Sequence, residues 1–125
     1  GYLTKHAAGL YSTTPVEGPW RRRDPDEYQA EVDREPHPAL VEAPDGEGTI
    51  ETYTVTFGRE GTPERGIVVG RLGPDGPDSG PDVPRFLALV PEDPELLRAM
   101  TAEDFLGRRG RVARDGQSNR FTPAA

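Results

Sequence analysis

Gly48-Thr49-Ile50-Glu51-Thr52-Tyr53-Thr54-Val55-Thr56-Phe57 is the stretch that decides the fold. Tyr53, Val55 and Phe57 alternate with Thr52, Thr54 and Thr56, and a period of two in β-branched and aromatic residues predicts a half-buried strand over 49–57. Residues 58–63 have the chemistry of a hairpin loop. The next segment, 65–72, carries Ile67, Val68 and Val69 in unbroken series, the pattern of a strand covered on both faces. Gly66 and Gly70 within it suggest a bend or bulge of the kind that closes barrels. The two segments read as an antiparallel pair.

Working towards the C-terminus, GPDGPDSGPDVP (73–84) is of low complexity and reads as a mobile loop joining strands, with Val83 its one conceivable anchor. A third strand is expected over 85–90. Asp93 then caps a helix over 94–100 that has Pro94 at its first position and buries Leu96, Leu97 and Met100. Residues 101–105 read as a further turn of helix. Two short strands, 107–114 and 118–122, follow around an Asp115-Gly116 turn.

Working towards the N-terminus, residues 43–48 are turn chemistry, and Pro36 and Pro38 end a short helix expected from Asp24 to about Glu35. Asp24 can cap it, Pro25 suits its first position, and Glu27 can reach back to complete a capping box. Residues 1–15 mix small and aromatic side chains with Lys5 and His6, and no clean period is present. The expected fold is mainly β: a small five-stranded OB-like or split β-barrel with one or two short helices, preceded by an irregular or helical N-terminal segment. An SH3-like barrel reads almost the same way.

Composition narrows the functions available. The 125 residues include 15 glycines and 14 prolines, so much of the chain is loop and the core must come from a few short segments. A net charge of −7 repels phosphate backbones and weighs against nucleic acid as a partner; any anion site would be local. Without cysteine there is no thiolate metal site, disulfide or cysteine nucleophile within these residues. No stretch approaches the length of a membrane span, no signal-peptide order is present, and a cytoplasmic location is the expectation.

The side chains that could carry chemistry are few. His6 and His37 stand 31 positions apart with no metal-ligand spacing and no nucleophile to serve, and they read as structural or surface histidines rather than as a catalytic or metal site. The acidic residues fall mostly at helix starts and in loops, where they cap and solubilise. The conspicuous feature is the run of Arg108, Arg109, Arg111 and Arg114, with Arg120 near it, on one hairpin of an acidic chain. Arg108, Arg109, Arg111 and Phe121 are the candidate ligand-binding residues, by ion pairing and stacking on an anion. The plainer account is a solvated strand face balanced by Glu103 and Asp104. No cofactor is implied.

The segment Gly1-Tyr2-Leu3-Thr4-Lys5-His6-Ala7-Ala8-Gly9-Leu10-Tyr11-Ser12-Thr13 resembles the end of the thiolase region of bacterial acetyl-CoA acetyltransferase-like proteins, thiolase-like proteins related to the sterol-carrier type. The remainder resembles the additional C-terminal domain of those proteins, through GTIETYTV (48–55), PERGIVVGRL (63–72), RFLA (85–88), GRRGRV (107–112) and Asn119-Arg120-Phe121. The resemblance implies residues 1–14 as a remnant of the thiolase core, 15–48 as a linker with a short helix, and 49–125 as the accessory barrel. It implies a parent that handles acyl-CoA, with an upstream thiolase core as partner. The family's reactive groups, a nucleophilic cysteine, a Gly-His-Pro histidine and a second cysteine, have no counterpart here, and the chain alone is expected to be inactive. The insertion between Leu72 and Arg85 departs from the family pattern. The rival reading is a free-standing OB-like module that holds CoA, a nucleotide or single-stranded nucleic acid on its arginine hairpin. A purely structural domain that tethers protomers is a third.

Overall fold

The computed structural model describes residues 6–15, 17–76 and 79–124. The chain divides into two compact units, Gly1–Glu35 and Pro36–Ala125.

In the first unit, residues 6–14 carry no helix or strand, and the part of the expected thiolase remnant over 1–5 lies outside the described residues. Among its described residues the one element is α1 (Pro25–Val32). Asp24 caps it as expected, Oδ1 accepting from the Asp26 amide at 3.0 Å. Glu27 does not close a capping box; its carboxylate meets the Arg23 guanidinium, which also reaches Glu31 one turn further on. The helix stops at Val32, before Glu35, and buries none of its residues.

The second unit is a closed five-stranded β-barrel with one extra strand and a helix. Its elements are β1 (Leu40–Val41), β2 (Gly46–Phe57), β3 (Pro63–Leu72), β4 (Arg85–Leu89), α2 (Pro94–Ala102), β5 (Arg109–Asp115) and β6 (Ser118–Pro123). Strands β2, β3 and β4 form an antiparallel meander, β5 pairs antiparallel with β2, and β6 pairs antiparallel with β5. A parallel pairing of Leu89 in β4 with Arg120 in β6 closes the ring. The extra strand β1 adds in parallel to β4, and with the first residues of β2 it falls inside the span expected to be linker.

The alternation read in the sequence governs β2 as far as Thr56, with Tyr53 and Val55 half-buried and Thr52, Thr54 and Thr56 exposed, but Phe57, expected on the side of Tyr53 and Val55, is exposed at the strand end. Of the Ile67-Val68-Val69 run in β3 only Val68 is fully buried, and Ile67 and Val69 on the outer face are half-covered, so the run is not sandwiched on both sides. The register between β2 and β3 shifts between Ile50 and Thr52, a bulge centred on Glu51. Gly48 of β2 and Gly70 of β3 serve packing: a Cβ on Gly70 would stand 2.3 Å from Phe86 Cζ, and one on Gly48 would stand 2.6 Å from Phe86 Cε1. The bare backbone of both strands lets the Phe86 ring occupy the barrel centre, where it stacks on Phe121 with centroids 5.7 Å apart.

Helix α2 contributes Leu97 and Met100 to this core, which also holds Ile50, Val90, Phe105 and Val112. Asp93 caps it, Oδ1 accepting from the Glu95 amide at 2.8 Å. The further helical turn over 101–105 does not form beyond Ala102. Glu103 is extended, and Phe105 turns into the core, its amide donating to the Tyr53 hydroxyl at 3.3 Å. Burial of that ring is worth about 2 kcal/mol, more than one additional helical hydrogen bond returns.

The loop over 73–84 is held at several points rather than at Val83 alone. Thr49 Oγ1 donates to the Gly73 carbonyl at 2.9 Å, the Leu72 amide donates to the Pro84 carbonyl at 3.0 Å, and Arg71 Nη1 donates to the Val83 carbonyl at 2.6 Å.

Candidate functional site

Strand β5 sorts the arginine run by parity. Val112 faces inward and is fully buried, so Arg109 and Arg111, on either side of Gly110 along the strand, face outward and are exposed. The Asp115-Gly116 turn, with Gly116 at φ +60°, reverses the chain into β6 and sets Arg120 opposite Ala113. A concavity of about 940 Å³ opens on this outer face, between the β5–β6 hairpin, the start of β2 and the Gly73-Pro74 corner. Its charged lining is Arg109, Arg111, Arg114 and Arg120 against Glu47 and Asp115, an excess of two positive charges on an acidic chain.

The partners of these arginines differ. Arg111 Nη2 meets Asp45 Oδ1 at 2.7 Å, but both side chains are about two-thirds exposed or more, which leaves the pair worth little. Arg120 Nε meets Asp115 Oδ2 at 2.8 Å. Arg114 spends its donors on carbonyls, Nε to Gly116 at 3.0 Å and Nη1 to Glu42 at 3.4 Å. The Arg109 guanidinium has no hydrogen bond or ion pair among the described residues.

Two of the four sequence candidates are not in this concavity. Arg108 precedes the strand and turns the other way: its guanidinium lies 3.8 Å over the Phe105 ring and bonds Glu103 Oε2 at 2.6 Å. Phe121 is fully buried against Phe86, and its ring offers no face to a ligand. The fold thus brings Arg109 and Arg111 together with Arg114 of the same run and with Arg120, which the sequence places near it. Glu103 does balance an arginine, Arg108, while Asp104 accepts from the Leu106 amide at 2.9 Å. His6 and His37 are both exposed, each in its own unit. Among the described residues no group of three or more His, Asp or Glu side chains is arranged to hold a metal, and no helix is long and apolar enough to cross a membrane.

A second charged cluster was not visible in the sequence. Glu51, on the β2 bulge, takes a two-pronged bond from Arg85 (Nε to Oε2 at 2.6 Å, Nη2 to Oε1 at 2.7 Å) and faces Arg71 Nε at 3.4 Å. Arg71 and Arg85 are direct partners across β3 and β4, and Arg71 is 5% exposed. Two like charges in that register repel unless a carboxylate lies between them. The Arg85 hydrogen bonds hold the Glu51 carboxyl below its ordinary value, helped by the charge of Arg71 and opposed by burial. The same bonds raise Arg85. Arg71 Nε has no hydrogen-bond acceptor in this setting, and the guanidinium is held through Nη1, which donates to the Val83 carbonyl. Glu51 thus neutralises both arginines, and Arg71 ties the cluster to the loop that follows β3. Their sequence separations, 20 and 14 residues, become contacts only through strand pairing.

Comparison with known proteins gives a consistent answer. Residues 27–117 match the family model of the thiolase-like protein type 1 additional C-terminal domain. Among solved structures, the chain is similar to a monomeric SCP2-thiolase like protein type 1 from Mycobacterium smegmatis, at 37% sequence identity and a TM-score of 0.65. That alignment covers 90% of this chain and 22% of the other, so these residues span about a fifth of that protein's length. A search of curated proteins finds no match. The chain belongs to the family of additional C-terminal domains of type 1 thiolase-like proteins.

Proposed function

We propose that this domain is the non-catalytic accessory part of a thiolase-like acyltransferase of the acetyl-CoA acetyltransferase kind, a cytoplasmic protein in which a thiolase core is its partner. The observation that carries this reading is the alignment of 90% of the chain with only 22% of a thiolase-like protein, combined with the absence of any cysteine from these 125 residues. Acyl transfer of the thiolase type runs through a cysteine nucleophile, and these residues supply none. On this reading residues 1–14 belong to the core, and the connectivity of β2 to β6, with a helix between β4 and β5, supports an OB-type barrel. Incubating the purified chain with acetyl-CoA or acetoacetyl-CoA and measuring free CoA tests it. No release above the buffer rate is expected; turnover contradicts it.

A second reading, an anion-binding module, is favoured by the arginine-lined concavity. In it Arg109 and Arg111 contact the ligand directly, while Arg108 and Phe121 support the hairpin from behind. Acyl-CoA is the candidate ligand because it is anionic and belongs to the parent chemistry. The overall negative charge disfavours nucleic acid.

A further inference from the structure

We infer that the concavity on the β5–β6 hairpin binds the diphosphate group of a small ligand, with Arg109 and Arg111 as the contacting residues. The inference deepens the anion-binding reading above, on which it rests, and is independent of whether the chain is catalytic.

Three features define the ligand. Arg109 and Arg111 lie two residues apart on one strand face, about 6.6 Å between Cα atoms by strand rise, and long side chains over that span converge on a ligand carrying more than one anionic group. Guanidinium forks match phosphate oxygens two at a time. Arg109 is unengaged, and Arg111 is engaged only by the exposed Asp45, so a multiply charged anion displaces little to bind both. A carboxylate supplies one such group; a diphosphate supplies two.

The rest of the lining excludes other anions. It contains Gly48, Gly73, Pro74, Gly110, Ala113 and Thr122 but no aromatic side chain, so nothing is present to stack on a base. Glu47 in the lining repels a long phosphate backbone running past the two arginines. A compact diphosphate, free or as the link between the adenosine and pantetheine parts of CoA, needs no stacking surface and spans only the two arginines. Arg120 stays with Asp115 and donates from Nη1 to the Val90 carbonyl at 3.4 Å, which fixes it as a wall of the site.

The test is titration calorimetry of the full chain with inorganic pyrophosphate, CoA, pantetheine and a single-stranded oligonucleotide, at low and moderate salt. Pyrophosphate is expected to bind, more weakly at higher salt. Arg109→Ala and Arg111→Ala should each weaken it about ten-fold, the loss of one charge-assisted contact. Arg59→Ala, on the 58–62 hairpin outside the concavity, should leave it unchanged. CoA binding with pantetheine silent identifies CoA as a source of the diphosphate; pyrophosphate binding with CoA silent identifies a free one. The inference is overturned by no pyrophosphate binding, by equal weakening in Arg59→Ala, by unaltered binding in the Arg109→Ala/Arg111→Ala double variant, or by tighter binding of the oligonucleotide. Thermal melting of each variant separates lost contacts from lost fold. None of these outcomes bears on CoA release, so the accessory reading stands or falls separately.

Discussion

Arginine does opposite work in two regions of one barrel. On β3 and β4, Arg71 and Arg85 share Glu51, and Arg71, almost wholly buried, holds down the loop that follows β3. On β5, Arg109 and Arg111 stand on an open face with one exposed ion pair between them. The difference lies in the neighbours that the fold supplies, since the residue type is the same. A guanidinium removed from water must be neutralised and bonded in place, and it becomes part of the structure. One left in water costs nothing to keep and is available to a ligand.

The sharpest way to break this contrast is through Phe121, which the sequence places beside the arginines and the structure places in the core. Phe121→Ala should destabilise the barrel by about 4 kcal/mol, as cavity formation in a packed centre does. A urea melt showing a loss under about 1 kcal/mol would return Phe121 to the surface.

Next is Glu51. Glu51→Ala leaves Arg71 buried beside an unneutralised Arg85 and should cost about 3 kcal/mol, the low end for breaking a buried pair because Arg85 is partly exposed. The effect carries a pH signature. The folded carboxyl titrates below its ordinary value, so its contribution is complete above the usual carboxylate range and disappears as pH falls through the depressed value. Melts of the parent and Glu51→Gln should therefore differ most near neutrality and converge on acidification; a gap independent of pH would show that the ion pairs contribute nothing.

A smaller effect sharpens the boundary between the two regions. Arg108 neighbours Arg109 in sequence but lies over Phe105 and bonds Glu103, so Arg108→Ala should cost about 1 kcal/mol. It should leave pyrophosphate binding unchanged in calorimetry.

Much of the barrel was legible because its signals are local. The alternation through Tyr53 and Val55, the Asp93-Pro94 helix start and the Asp115-Gly116 turn each fix an element without reference to the rest of the chain. What was not legible depends on pairing. Leu40 and Val41 are a strand only because β4 offers an edge, and two residues carry no period. Gly48 reads as part of a turn and Gly70 as a bend, whereas both make room for Phe86, from a strand 15 or more residues away. The arginine run announced a site, but parity along β5, which splits Arg108 from Arg109 and Arg111, required knowing where the strand starts. The Glu51 cluster had no sequence signal, because a single glutamate at a bulge looks like any solvated charge.

The division of labour among arginines is tested most directly by urea unfolding of Arg71→Ala beside the Arg109→Ala/Arg111→Ala double variant. The account predicts a loss of about 2 kcal/mol or more for the first and a change within about 0.5 kcal/mol for the second. Equal losses in the two would contradict it.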